Sequence, residues 1–141
     1  MEPKGSESSL VYLAHGAQPY VQSLLRIVAA FMFILAGTSK LFAFPAGIPP
    51  HGGTVLLFSQ LGVGAVLETF GGALLLLGLF TRPVAFILAG EMAVAYFQFH
   101  FPGNFWPTLN GGVPAVLYCF LWLYFSAAGA GPWSVDALRK K

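Results

Sequence analysis

Residues 20–44 read YVQSLLRIVAAFMFILAGTSKLFAF, a run of about 25 residues that is apolar apart from Arg26, Lys40 and a few small polar groups. At 1.5 Å per residue such a run is long enough to cross the roughly 30 Å hydrocarbon core of a bilayer with some tilt. Three further apolar runs follow, at about 55–80, 84–101 and 114–128, and the segments between them hold the turn-formers. Ala46–Thr54 carries three glycines and two prolines, Thr81–Pro83 is a tight turn, Pro102–Val113 contains Pro107, Gly111 and Gly112, and the cluster Gly129–Pro132 closes the last run. Pro83 suits the first turn of a helix, where its missing N–H is not needed. Gly129 suits a left-handed cap.

Composition agrees with lipid as the main solvent. Of 141 residues, 57% are hydrophobic, 16% aromatic and only 9% charged, and the mean hydropathy is +0.74, whereas soluble domains carry about 25% charged residues. A net charge of +2, scattered along the chain, makes no nucleic-acid surface. The single cysteine, Cys119, excludes an intramolecular disulfide and a Cys-x-x-Cys redox pair. Because unpaired backbone groups are costly in lipid and no ten-residue alternating patterns occur, each run is expected to be a helix. The expected architecture is all-α: one integral membrane domain over 1–141, a four-transmembrane-helix bundle with spans near 20–44, 55–80, 84–101 and 114–128. Helix one reads as a retained signal anchor, because the polar segment Met1–Gln18 lacks a basic cluster and the apolar run exceeds a usual signal core.

Orientation follows from the basic residues. With alternating spans, Lys4, Arg26, Arg82, Arg139, Lys140 and Lys141 fall on one side and Lys40 on the other, which predicts both termini in the cytoplasm. The aromatic region from Tyr96 to Trp106 then faces outward.

Four charges lie inside the runs: Arg26 and Lys40 on helix one, Glu68 on helix two and Glu91 on helix three. Each costs roughly 2.5–3.5 kcal/mol at the bilayer centre if it faces lipid, so they are expected to face inward. Arg26, Ala30, Phe33, Gly37 and Lys40 fall within about 80° on a helical wheel, and the two cations are about 21 Å apart. Gly64 and Gly72 lie one turn either side of Glu68, a small-residue groove with a carboxylate in its floor. Glu91, Ala95 and Gln98 share a face of helix three. Depth counted from the ends of the runs matches Arg26 to Glu91 and predicts that these two pair. Arg26, Lys40, Glu68, Glu91 and Gln98, with Gly64, Gly72, His100 and Asn110 as secondary candidates, form the expected pocket for a polar head group, a quinone or a proton path. The same charges also read as glue that sets the register of the bundle. His51 and His100 have no further ligand at fixed helical spacing, so no metal site is expected. Asn110, followed by two glycines, reads as a turn residue.

The sequence resembles the DoxX family. The resemblance rests on LLRIVAAFMFILAGTSKLF at 24–42, ETFGGALLLLGLFTRPVA at 68–85, LNGG at 109–112 and GPWSVDAL at 131–138, with Arg26, Lys40, Glu68 and Arg82 where the pattern has polar residues. It implies a four-helix bundle in a bacterial cytoplasmic membrane and an oxidoreductase label. It also implies two roles: a redox-linked, quinone-associated membrane subunit, or a non-catalytic accessory subunit that binds and stabilises a larger membrane complex. No nucleotide loop, catalytic triad or cofactor ligand set is legible, so catalysis by this chain alone is not expected. The expected partners are the bilayer, other membrane subunits or further copies of the chain.

Overall fold

The computed structural model describes residues 4–140; Met1 and Lys141, which entered the reading of the N-terminal segment and of orientation, lie outside the described residues. The described chain is helical, with one isolated β-bridge between Ile48 and Gly53. Helix α1 is Lys4–Phe42. Helix α2 is Gln60–Leu77, α-helical except for one wide π-helical turn at Leu67–Gly71. Helix α3 covers 81–100, α-helical over Thr81–Ala95 and π-helical over Tyr96–His100. A single turn, α4, is Pro107–Asn110; α5 is Val113–Ala128; α6 is a short turn at Val135–Leu138.

Helices occupy all four apolar runs, but boundaries differ: α2 covers only Gln60–Leu77 of the run expected at 55–80, and Thr81–Pro83, read as a tight turn, is the first turn of α3, the turn itself lying at 78–80 where Gly78 and Phe80 take left-handed conformations. Helix α1 starts well before Tyr20 and carries Pro19 inside it, so most of the segment read as a polar N-terminal stretch is helical. Proline removes one backbone donor, yet Leu, Ala and Gln around it are good helix formers, and the Pro19 carbonyl still accepts from Ser23 Oγ at 3.1 Å. The other ends follow local chemistry. The Ser59 hydroxyl accepts from the Gly62 amide at 3.0 Å and starts α2, Gly78 ends it in the left-handed region at φ +66°, and Gly129 ends α5.

Helix α1 packs on α2 and α3 packs on α5. Gly37 lets the first pair approach closely: a Cβ there would lie 2.3 Å from Thr69 Oγ1 and 2.8 Å from the Ala65 carbonyl. Ala30, Phe33, Leu75, Ala85, Leu88, Trp122 and Phe125 are buried at the centre, with the Phe33 and Trp122 rings edge to face at 5.3 Å. The surface is the inverse of a soluble one. Phe70, Phe86 and Phe120 are about two-thirds exposed, while Arg26 is 0% and Glu68 3% exposed. Helices Ser8–Phe42 and Gln60–Leu77 are long and apolar enough to cross a membrane, and Val113–Ala128 is a shorter apolar helix.

Candidate functional site

Two polar centres lie inside this apolar molecule, one at each end of the bundle. At one end Arg26 on α1 points into the last turn of α2. Its Nη1 donates to the Leu75 and Leu76 carbonyls, its Nε to Ala130 O at 2.9 Å and its Nη2 to Trp133 O. The last carbonyls of a helix have no partner of their own, and here one guanidinium fork serves two of them together with two carbonyls of the chain after α5. Gly78 leaves room for it, since a Cβ there would lie 3.0 Å from the Arg26 Cζ. The segment that Arg26 holds places Asp136 at the start of α3, where its carboxylate accepts from the Phe80 and Thr81 amides at 2.9 Å each. Partial burial works against the charged carboxylate, but the hydrogen bonds from Thr81 and Phe80 and the nearby Arg139 outweigh it and hold Asp136 below the ordinary aspartate value.

The expected pairing of Arg26 with Glu91 does not form. The depth count set Arg26 level with Glu91, whereas Arg26 lies level with the last turn of α2, and the chain after α5 packs beyond it against Ser23 and Tyr20. Glu91 is ten residues into α3, about 15 Å from that end. The end of a membrane bundle is set by where neighbouring helices stop, which one helix's hydropathy does not report.

At the other end Lys40 meets Glu68. Its Nζ donates to Oε1 at 2.6 Å and to Oε2 at 2.7 Å, and the pair is the one ion pair found among the described residues. The local cause is the close α1–α2 approach at Gly37, one turn before Lys40, together with the π-helical turn that contains Glu68. A π turn widens the helix by one residue and is often found at functional sites. It was not foreseen, although the Gly71–Gly72 pair beside it marks a weak point in the helix.

Glu91 comes to the same place from α3. Its carboxylate lies against Gly64, where a Cβ would be 3.2 Å from Oε1, and its Oε2 is buried without a hydrogen-bond partner. Lys40, Glu68 and Glu91 line one cavity of about 430 Å3, with Gly64, Gln60 and Phe99 among its other walls. A second cavity of about 330 Å3, bordered by His100 and Tyr118, lies on the other side of the Lys40–Glu68 pair. Glycine therefore serves two different ends here: Gly64 accommodates Glu91, whereas Gly72 takes no part in a void but packs on α1, a Cβ there meeting Ile34 Cγ1 at 2.8 Å.

The remaining candidates divide. Gln98 bonds to Gln60 at the rim. His100 Nδ1 meets the Asn110 carbonyl at 3.0 Å, and Asn110 accepts from the Gly112 amide at 2.7 Å and donates to Asn104 O at 2.7 Å, a turn residue as read. Tyr96 donates to Phe105 O at 2.5 Å, so these groups order the 96–112 connection. No three His, Cys, Asp or Glu side chains among the described residues are grouped as metal ligands. Chemically, the site offers one ammonium with a donor left over, a carboxylate neutralised by it, and a second carboxylate with no partner.

A family model described as DoxX matches residues 21–101, which takes in Lys40, Glu68 and Glu91 but not α5 or the segment held by Arg26. A Haemophilus influenzae (strain ATCC 51907 / DSM 11121 / KW20 / Rd) protein described as "Uncharacterized protein" is 48% identical over 122 residues, covering 84% of this chain and 90% of that protein. No solved structure matches.

Proposed function

The chain belongs to the DoxX family, and from that premise we propose that it is a four-span membrane subunit whose Lys40–Glu68–Glu91 cavity holds the polar head of a membrane-borne quinone. The observation that carries this reading is the charge count at the cavity: two carboxylates and one ammonium, with Glu91 Oε2 buried and unpartnered. An ionisable group left unpaired at membrane depth is a functional candidate by default. A group kept only as glue is expected to be paired, as Glu68 is by Lys40. The volume, about 430 Å3, suits a small head group. Lys40 has a third N–H to offer a ring oxygen, and Glu91 is positioned to exchange a proton with it. The quinone would supply electron-carrying capacity, and the redox partner would lie on another subunit of an oxidoreductase.

The four spans are α1 from about Tyr20, α2, α3 and α5, in a bacterial cytoplasmic membrane with both termini inside. Reporter fusions after Lys141 and in the 47–54 linker test this, and reporters active on the same side of the membrane would refute it. For the site, the protein purified in mild detergent is extracted and its quinone measured. Retained quinone that is lost on Glu91→Gln and on Lys40→Met is expected. No retained quinone, and no thermal shift with an added short-chain quinone, would overturn the head-group reading.

A second reading, a non-catalytic accessory subunit, has its own observation. In the N-terminal part of α1 a short apolar patch stands clear of the bundle, with Leu10 67%, Tyr12 79% and Leu13 70% exposed. Such a patch fits a neighbouring membrane subunit or a second copy of the chain. Crosslinking from Tyr12 to a co-purifying protein would favour it.

A further inference from the structure

We propose that the pocket between the start of α3, the end of α5 and α6 seats the phosphate of an anionic phospholipid. This pocket, about 370 Å3, lies at the Arg26 end of the bundle, away from the Lys40–Glu68–Glu91 cavity, and Arg82, Arg139 and Lys140 all line it. Three of the chain's seven cations thus come from two segments far apart in sequence to one hollow.

Two of the three are held by contacts of their own, and Lys140 is exposed at the rim. Arg82 donates from Nη1 to the last carbonyls of α5, at 3.3 Å to Ser126 O and also to Ala127 O, which leaves the Nη2 edge of its guanidinium unspoken for by those bonds. Arg139 stacks over the Phe80 ring, its Cζ 4.9 Å from the centroid. The one acidic wall residue, Asp136, accepts from the Phe80 and Thr81 amides and offsets one of the three cations, so the hollow keeps a net positive charge. A planar guanidinium is well matched to phosphate oxygens.

The surroundings select a lipid over a free anion. Phe86 lies one helical turn beyond Arg82 toward the middle of the bundle and is 65% exposed, so an apolar stripe leads away from the cations along α3. Tyr20 and Trp133, with ring centroids 5.6 Å apart and both half exposed, lie at the same end. Amphipathic rings of this kind collect at head-group depth. A basic hollow at that depth, with acyl-sized apolar surface below it, is the arrangement that binds phospholipid head groups between membrane helices. The proposal rests on the four-span reading but not on the quinone.

The test uses the full chain in nanodiscs of phosphatidylcholine alone or mixed with phosphatidylglycerol, read by thermal melting and by lipid retained in native mass spectrometry. The expected result is a higher melting temperature with phosphatidylglycerol and one or more such lipids retained. The double variant Arg139→Gln, Lys140→Gln, which leaves the contacts of Arg82 with α5 intact, should weaken retention by about fivefold per cation and abolish the thermal shift. Equal melting in both lipids, or a phosphatidylglycerol effect that survives in the double variant, would overturn the proposal. A shift reproduced by inorganic phosphate or glycerol phosphate would overturn the lipid and assign a free-anion site. The reporter fusions separate the cases: with topology intact, failure of the lipid arms is failure of this site alone.

Discussion

Replacing Arg26 with methionine keeps the apolar stem and removes the fork that holds Leu75, Leu76, Ala130 and Trp133. All four carbonyls lose their charged donor, and the Leu75 carbonyl retains the Gly78 amide at 3.1 Å. Four hydrogen bonds from a charged donor at about 1.5–3 kcal/mol each give about 6–12 kcal/mol. Against this stands the desolvation of a cation that is 0% exposed, a cost of several kcal/mol that methionine relieves. The expected net loss is ~3–5 kcal/mol, a drop on the order of 10 °C in melting temperature at this size. Arg26→Lys should recover only part, because a single ammonium cannot reach both the end of α2 and the 129–134 segment. Thermal melting in detergent measures the loss, and limited proteolysis reports where it acts, with new cleavage expected between Gly129 and Lys140. A loss under 1 kcal/mol, or cleavage unchanged in that segment, would refute the assignment of Arg26 as the clasp of the bundle end.

The Lys40–Glu68 pair should show coupling: Lys40→Met costs about 3–5 kcal/mol because it strands the buried Glu68, Glu68→Gln costs less because Lys40 is partly exposed and keeps Glu91 nearby, and the double variant costs less than the sum; additive losses would mean no pairing. Glu91 behaves in the opposite way, since its Oε2 has no partner to lose. Glu91→Leu should leave stability unchanged or raise it by about 1 kcal/mol while abolishing quinone retention, and clear destabilisation would return Glu91 to a structural role. For Asp136 the sign follows from its depressed value: its contribution to stability is complete above the unfolded aspartate value near 3.9 and is lost as pH falls through the lower folded value. Asp136→Asn should therefore be less stable at neutral pH and show a flatter acid limb in melts from pH 5 to pH 2; an unchanged acid limb would count against the cap.

The four helices were legible because hydropathy and turn residues are local signals. Pro83, Pro107 and Pro114 near helix starts and Gly129 at a helix end act on their own few neighbours. Inward placement of Glu68 and Arg26 was legible too, since lipid penalises the alternative. The partners were legible only in part: a cation of helix one, Arg26 or Lys40, is the expected neighbour of Glu68, and Lys40 is the one that meets it. Whether Arg26 or Lys40 reaches a given carboxylate depends on where α2 and α3 stop and on a π turn at Leu67–Gly71, both set by packing between helices. Arg26 misled for a further reason: the usual partner of a buried arginine is a carboxylate, but backbone carbonyls at a helix end satisfy it as well, and no side-chain pattern announces them.

The Arg26 clasp also imposes an order on biosynthesis. Two of its acceptors lie 104 and 107 residues later in the chain. At translation rates of 5–20 residues per second, helix one is made about 5–20 s before the Ala130 and Trp133 carbonyls exist. During that interval Arg26 has within reach only the Leu75 and Leu76 carbonyls, 49 and 50 residues on, so the clasp is half made until the chain past α5 is complete. A chain cut short before Gly129 would keep the α1–α2 half of the clasp and lack the half that ties in α5.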